Sequence, residues 1–144
     1  GCGAPAISGP LGNWARGFAL FAGDTTLPEA RHHACHRLAH SIAAAPHLIA
    51  GHRRLCTDVN HALGPSVTVK VGAEGVYAGA FHELGLGLML KARDGAKRAA
   101  EQALLYVIKT LGINLPAKLA SSFCTSLTNW SGEKVGDIVI RNHK

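Results

Sequence analysis

The sequence predicts an α+β fold in which helices pack on an antiparallel sheet. Apolar side chains recur at helical spacing between residues 11 and 64, and period-two alternation replaces that spacing between residues 66 and 92. A helical stripe returns after residue 96. Because only a few residues separate the three strand-like segments, they favour an antiparallel meander. We expect residues 1–144 to form a single domain.

The first predicted helix carries an aromatic stripe. Leu11, Trp14, Phe18 and Phe21 recur at helical spacing, and Gly23 ends the pattern. We expect this helix to bury its aromatic face against the rest of the domain.

Two further helices precede the strands. The second helix is predicted to open at Thr26, with Pro28 in its first turn and Glu29 completing a Thr-x-x-Glu capping box. Pro46 breaks this helix. Apolar spacing over Leu55–Leu63 predicts a third, short helix, which the Gly-Pro pair after it ends.

The strands, a long helix and a hairpin complete the chain. Val67–Val71 alternates valines with polar residues, and the segments "VYAGAF" and "LGLMLKA" supply two more strands. After a turn at "RDG", a long apolar stripe ending at Gly112 predicts the clearest helix of the sequence. The tail segments "SLTNW" and "EKVGDIVI" are expected to pair around Ser131 and Gly132.

Composition and charge exclude several classes of function. Of the 144 residues, 47% are hydrophobic, which is enough for a buried core. The net charge of +6 comes from scattered lysines and arginines, and the aromatic residues are not interleaved with basic ones as nucleic-acid binding by stacking requires. No apolar run reaches the roughly 18 residues of a membrane helix, and no signal-peptide pattern opens the chain. We expect a soluble, cytoplasmic protein with no nucleic-acid or membrane partner.

The cysteines and the first residues carry two further expectations. The four cysteines lie far apart with no C-x-x-C pair, which favours reduced thiols over a disulfide framework. The opening segment "GCGAPAISGP" has no initiator methionine, and Met89 is the only methionine of the chain. We therefore expect a chain that has been processed, excised or truncated.

Two clusters have the spacing of known metal or catalytic sites. His32, His36 and His40 stand four residues apart, a spacing that can bring imidazoles onto one metal ion. No carboxylate joins them at that spacing, so we expect the polar face of a helix rather than a metal site. Ser131 and Lys134 match the Ser-x-x-Lys spacing of serine acyl-enzymes, but a turn there would carry the two side chains apart.

Lys70 interrupts the apolar stretch "VTVKVGAEGVYAGAF". Alternation sets it opposite the valines, so it faces solvent if that side of the sheet is wet. Alternatively, Lys70 and Gly72 form a Lys-x-Gly motif on an edge strand, which borders the active site in penicillin-binding and class A β-lactamase folds. The backbone N–H after such a glycine helps to hold an oxyanion. The strand pattern leaves both interpretations open.

Three segments, "KVGAEGVYAGAF", "LGLGLMLKARDGAKRAAEQALLYVIKTLG" and "NWSGEKVGDI", resemble the C-terminal half of the bacterial asparaginase II family. These are L-asparaginases with a serine β-lactamase-like, glutaminase-like fold, and the resemblance runs from Gly1 to about Ile140. It implies hydrolysis of L-asparagine to L-aspartate and ammonia through an acyl-enzyme on a serine. In that family the nucleophilic serine precedes an Asp-Gly-Cys segment, which the opening "GCGAPA" resembles. The resemblance therefore implies that the serine lies in a missing N-terminal half.

The resemblance also implies roles for particular residues. Lys70 matches the strand lysine that pairs with a second active-site serine, and Ala73 stands at the oxyanion position. Gly72 and Glu74 fall in the part that binds substrate. Cys2 matches a cysteine that holds zinc together with a cysteine and a lysine from the other half. We expect no tightly bound zinc in the isolated chain, because one thiolate cannot supply the four ligands that zinc takes.

The expected partners are L-asparagine, the N-terminal half and a second copy of the chain as a homodimer. Without a nucleophile the isolated chain should be inactive. A rival hypothesis from another class is a non-catalytic interaction module. In that case the edge of the strand that begins at Val67, or the tail hairpin, would pair with another chain.

Overall fold

A three-stranded antiparallel sheet lies at the centre of the fold. The computed structural model describes residues 3–23, 26–123 and 125–141. A second, two-stranded antiparallel sheet follows near the end of the chain. The strands are β1 (Val67–Gly72), β2 (Val76–Phe81) and β3 (Leu86–Lys91), adjacent in that order, and β4 (Ser126–Thr128) with β5 (Lys134–Asp137). The predicted α+β class and the antiparallel meander are confirmed.

In the sequence, helices both precede and follow the strands of the central sheet. Within the described ranges they are α1 (Leu11–Gly23), α2 (Glu29–Ala44), α3 (His47–Ala50), α4 (Leu55–Leu63), α5 (Lys97–Thr110) and α6 (Ala117–Ala120). The four-residue helices α3 and α6 were not predicted, because one turn is too short to display an apolar period. A short 3₁₀ turn, His82–Leu84, links β2 to β3.

The two faces of the central sheet carry side chains of different size. One face, here called the large-residue face, presents Val67, Val69, Tyr77 and Phe81 to a core shared with α4 and α5. The opposite face, here called the small-residue face, includes Ala78, Ala80 and Gly87. Alternation along each strand produces this division, because successive residues point to opposite sides of the sheet.

Helix α1 packs closely on the small-residue face. A Cβ atom at Gly87 would lie 1.9 Å from the Ala15 carbonyl oxygen and 2.3 Å from the Ala19 nitrogen, so only glycine permits this approach. The prediction that α1 buries its aromatic face holds only in part, for Phe18 and Phe21, which are partly buried. Leu11 and Trp14 are 45% and 36% exposed, because the backbone and alanines of α1, rather than its largest side chains, meet the sheet.

The predicted capping box of the second helix is also wrong. Helix α2 begins at Glu29, and Pro28 occupies the cap position without a side-chain cap hydrogen bond. Glu29 is consequently the first residue of the helix, whereas a capping box needs its glutamate in the third helical position. The proline at the boundary fixes the start, since its ring suits the residue that leads into a helix.

The outer edge of β1 is partly covered by α4. The Asn60 side chain accepts a hydrogen bond from the Val69 N–H at 2.8 Å and donates one to the Val69 carbonyl at 2.9 Å. Asn60 is buried, and this pairing satisfies two backbone groups that no neighbouring strand meets. The asparagine therefore replaces a strand partner at this point of the edge.

The tail forms the predicted hairpin in shorter form. Strand β5 ends at Asp137 instead of continuing to Ile140, and the β4–β5 register shifts between Leu127 and Thr128. Among the described residues, no helix is both long enough and apolar enough to cross a lipid bilayer.

Candidate active site

The end of β1 and the turn that follows it contain the residues that the sequence marked for catalysis and substrate binding. Gly72 pairs with Val76 and closes a three-residue turn, Ala73 to Gly75. Glu74 and Gly75 both have left-handed backbones, with φ of 58° and 69°. A Cβ at Gly75 would lie 2.8 Å from the Ala92 Cβ, so glycine is required both by conformation and by space.

The segment after β3 is held against this turn. The Lys91 amine donates hydrogen bonds to the Glu74 carbonyl at 2.5 Å and to the Ala92 carbonyl at 2.8 Å. The Ala92 N–H donates to the Gly75 carbonyl at 2.8 Å. The stretches "KVGAEG" and "KARDG" therefore meet in space at one end of the sheet. Sequence reasoning noted both stretches but missed their contact, because a lysine that bonds to backbone carbonyls leaves no pattern.

The hydrogen-bond pattern of β1 shows which backbone groups face outward. The His82 N–H donates to the Ser66 carbonyl at 2.8 Å, and in an antiparallel ladder such pairing alternates residue by residue. Ser66 and Lys70 therefore direct their backbone groups toward β2, whereas Val69 and Val71 direct theirs to the outer edge. The Val69 bonds to Asn60 agree with this assignment. The Val71 carbonyl consequently lies on the outer edge of β1.

Lys70 reaches that outer edge. Its side chain is exposed, and its amine donates a hydrogen bond to the Val71 carbonyl. Alternation sets the Cβ of Lys70 on the small-residue face. The hydrogen bond to Val71 nevertheless places the Lys70 ammonium at the outer edge of β1, close to the turn that contains Ala73. The Lys70 amine therefore lies at the edge of β1, three residues before Ala73.

A cavity of about 180 Å³ adjoins the same turn. Gly72 and Glu74 line it, and Arg54 and Lys97 add two cationic side chains to its wall. Lys70 and Ala73 are not among the described residues that line it. Of the four residues marked by the sequence, the structure thus brings Gly72 and Glu74 into this cavity and leaves Lys70 on the adjacent edge.

Two buried groups beneath the edge are held in their neutral forms. Burial raises the pKa of the Cys56 thiol, although a backbone hydrogen bond from Val71, the charge of Lys70 and the Asn60 side chain oppose that shift. Burial also raises the pKa of Tyr77, and the nearby Glu101 carboxylate raises it further. A buried neutral thiol is a poor nucleophile, so Cys56 does not substitute for a catalytic serine.

The other predicted sites have these positions. Lys134 forms an ion pair with Asp137 at 2.8 Å, and the hydrogen bond from Lys134 lowers the pKa of the Asp137 carboxyl. The lysine is thus engaged within β5, as expected of a tail hairpin. Cys2, the expected zinc ligand, lies outside the described residues.

The histidines of α2 lie near the other end of the sheet. His36 and His40 bring their Nε2 atoms within 3.1 Å of each other. His32 and His36 line a cavity of about 260 Å³ together with Cys35, Phe21 and residues near them. Over the described ranges, no group of three or more histidine, cysteine or acidic side chains has the arrangement of a metal site.

Comparison with known proteins identifies the family. The sequence matches the family model of L-asparaginase II over residues 1–140. The chain belongs to the L-asparaginase II family, as its motifs predicted. No match was found among the curated proteins.

Proposed function

We propose that this chain supplies part of the active site of an L-asparaginase, which converts L-asparagine and water to L-aspartate and ammonia. The observation that carries the proposal is the Lys70 ammonium, which bonds to the Val71 carbonyl on the outer edge of β1. Family membership supports asparaginase-type amide hydrolysis, and the position of this amine supports a role for Lys70 in it.

The proposed chemistry uses a serine outside residues 1–144. Lys70, once it has lost its proton, accepts a proton during attack of that serine on the side-chain amide carbon. The Ala73 N–H donates to the developing oxyanion. Lys70 then returns this proton to the amide nitrogen, which leaves as ammonia when the C–N bond breaks. Water attacks the acyl-enzyme carbonyl, one of its protons passes by way of Lys70 to the serine oxygen, and aspartate is released.

Substrate binding is assigned to the cavity beside the turn. Gly72 contributes backbone to the wall of this cavity, and Glu74 offers a carboxylate to the α-ammonium group of asparagine. The Arg54 guanidinium suits the α-carboxylate of the same substrate, whereas Lys97 is already paired with Glu101 at 3.3 Å. This proposal assigns one charged contact to each charged group of an amino acid.

Zinc does not enter the proposed steps. Cys2 remains the proposed ligand in the complete enzyme, but a single thiolate supplies one of the four ligands that zinc usually takes. No step is therefore derived through the metal ion.

Replacement of Lys70 tests the proposal in the natural polypeptide that contains this chain. Lys70→Ala should lower ammonia release from L-asparagine by about 100-fold, the size of a lost general base, while the circular dichroism spectrum stays unchanged. The matched control is Lys118→Ala, which removes an exposed lysine paired with Asp58 at 3.2 Å. Equal turnover in both variants would reject the catalytic role of Lys70.

The isolated 144-residue chain provides a second measurement. It should release no ammonia above background, because the proposed nucleophile lies outside it. Measurable turnover by the purified chain would contradict that part of the proposal.

A non-catalytic interaction module is the second candidate. The observation in its favour is the exposed tail hairpin, in which Trp130 is completely exposed and Val135 is 63% exposed. An interaction module predicts that Trp130→Ala abolishes pairing with another chain while Lys70→Ala has no effect. Gel filtration of the two variants separates the two functions.

A further inference from the structure

The paired histidines of α2 have an arrangement that a solvated helix face does not require. His36 and His40 follow each other by one turn, and their Nε2 atoms lie 3.1 Å apart. Their ring centroids are separated by 4.2 Å, with an angle of 43° between the ring planes. The two Nε2 atoms thus lie within hydrogen-bond distance of each other.

The separation of the two nitrogens suits a divalent transition-metal ion. Zinc binds histidine nitrogen at about 2.0 to 2.1 Å. Two such bonds to atoms 3.1 Å apart enclose an angle of roughly 95 to 102° at the ion, between the octahedral and tetrahedral values. The pair can therefore chelate an ion once each Nε2 presents its lone pair and both rings turn from their mutual hydrogen bond toward the ion.

The surroundings leave room for further ligands. Both histidines are exposed, and His36 also lines the cavity of about 260 Å³ that contains His32 and Cys35. His82 faces this cavity, but its Nε2 lies 2.9 Å from the Thr68 hydroxyl. His82 is therefore engaged by β1, and water or a ligand from another molecule would complete the coordination of an ion.

We propose that His36 and His40 form a bidentate binding site for a divalent transition-metal ion such as Zn²⁺, separate from the proposed zinc ligand Cys2. The site revises the expectation that this chain alone holds no metal ion and that its histidines are only a polar helix face. It does not depend on the proposed asparaginase activity, because neither histidine lies on the β1 edge.

Isothermal titration calorimetry with ZnCl₂ tests the site in the full 144-residue chain. The titration uses Cys2→Ser as the parent, so that any binding by that thiol is removed. We expect about one Zn²⁺ per chain in the parent. Loss even of a group that only orients a metal ligand weakens binding by about 10 to 100-fold, so His36→Ala and His40→Ala should each weaken it by at least about tenfold.

Two controls separate chelation from a general effect of histidine number. His52→Ala removes a ring that stacks on His47, at 5.3 Å between centroids, and should leave Zn²⁺ binding unchanged. The double variant His40→Ala, Ser41→His keeps the number of histidines but moves the second ring away from His36, and should bind as weakly as His40→Ala.

Each result decides for or against the site. Absence of Zn²⁺ binding by the parent, or equal binding by the parent and His40→Ala, would overturn the proposal and leave the two rings as a hydrogen-bonded pair. Binding by the double variant at the parent's affinity would show that histidine number, not the one-turn spacing, attracts the ion, and would also overturn it.

Discussion

The two faces of the central sheet pack against their neighbouring helices in different ways. The large-residue face fills its space with side chains such as Tyr77, Phe81 and Leu104, all fully buried. The small-residue face brings the backbone of α1 against Gly87. Packing on the large-residue face therefore depends on the volume of its side chains. Packing on the small-residue face depends on the absence of a side chain at Gly87. This difference predicts that the two faces respond differently to the same substitution.

Substitution of a glycine on each face should give the largest contrast. Gly87→Ala sets a Cβ 1.9 Å from a backbone oxygen of α1, which cannot move like a flexible side chain. We expect the free energy of unfolding to fall by about 3 kcal/mol or more, at or beyond the upper end of overpacking costs. Urea denaturation of the purified chain measures it.

Gly79→Ala is the matched control on the large-residue face. A Cβ there would meet its nearest neighbours, in Leu88 and Val69, at 3.5 to 3.7 Å, which is ordinary contact. The free energy of unfolding should change by less than about 1 kcal/mol, since alanine also restricts the unfolded chain more than glycine does. Similar losses in both variants would mean that the two faces do not differ as described.

Removal of the Asn60 side chain tests the hydrogen bonds between α4 and the Val69 backbone at the edge of the sheet. Asn60→Ala leaves the N–H and carbonyl of Val69 buried without these partners. We expect a loss of about 1 to 3 kcal/mol in the free energy of unfolding, because the Val69 N–H is left unsatisfied, whereas the Val69 carbonyl still accepts a hydrogen bond from the Cys56 thiol at 3.1 Å. Asn114→Ala, at an exposed asparagine, is the control and should stay within about 0.5 kcal/mol.

Substitution of Lys91 tests the contact between the stretches "KVGAEG" and "KARDG". Lys91→Met keeps most of the aliphatic chain but removes the amine that bonds to the Glu74 and Ala92 carbonyls. Because Lys91 is exposed, we expect the free energy of unfolding to fall by only about 1 kcal/mol. Hydrogen exchange should increase at residues 73–75 more than in α4. Unchanged exchange in the turn would show that Lys91 does not hold it.

Cysteine modification gives the smallest perturbation and reports on burial directly. Cys56 is fully buried and its pKa is raised, whereas Cys35 on α2 is partly exposed. Iodoacetamide at pH 7.5 should therefore modify Cys35 at least about tenfold faster than Cys56, as read by peptide mass spectrometry. Equal rates would contradict the closed core around α4.

The raised pKa of Cys56 also has a consequence for stability at alkaline pH. The thiol of the unfolded chain loses its proton near the ordinary value of 9.0, before the folded chain does. The contribution of Cys56 is therefore complete below pH 9 and is lost as the pH rises from 9 toward the folded pKa. Cys56→Ser should reduce this loss in urea denaturation between pH 8 and 10.

Several features of the fold and site could be predicted from local patterns. Valine alternation predicted β1, and the apolar stripe before Gly112 predicted α5, because each period belongs to one kind of backbone. The Lys-x-Gly motif pointed to the β1–β2 turn, whose backbone conformation needs glycine at position 75. The capping box failed because a local motif at Thr26 competed with Pro28, which set the helix boundary.

What the sequence determined by itself was therefore the class of fold, most of its elements and the family, since these depend on periodicity and on short motifs. Only the tertiary structure decided that Lys91 joins the stretches "KVGAEG" and "KARDG". It also decided that Asn60 covers the edge of β1 and that the backbone of α1 approaches Gly87. Each contact joins residues that are distant in sequence. Two of them depend on a single side chain, and the third depends on the missing side chain of Gly87. Such contacts have no period, and their partners become neighbours only when the chain has folded.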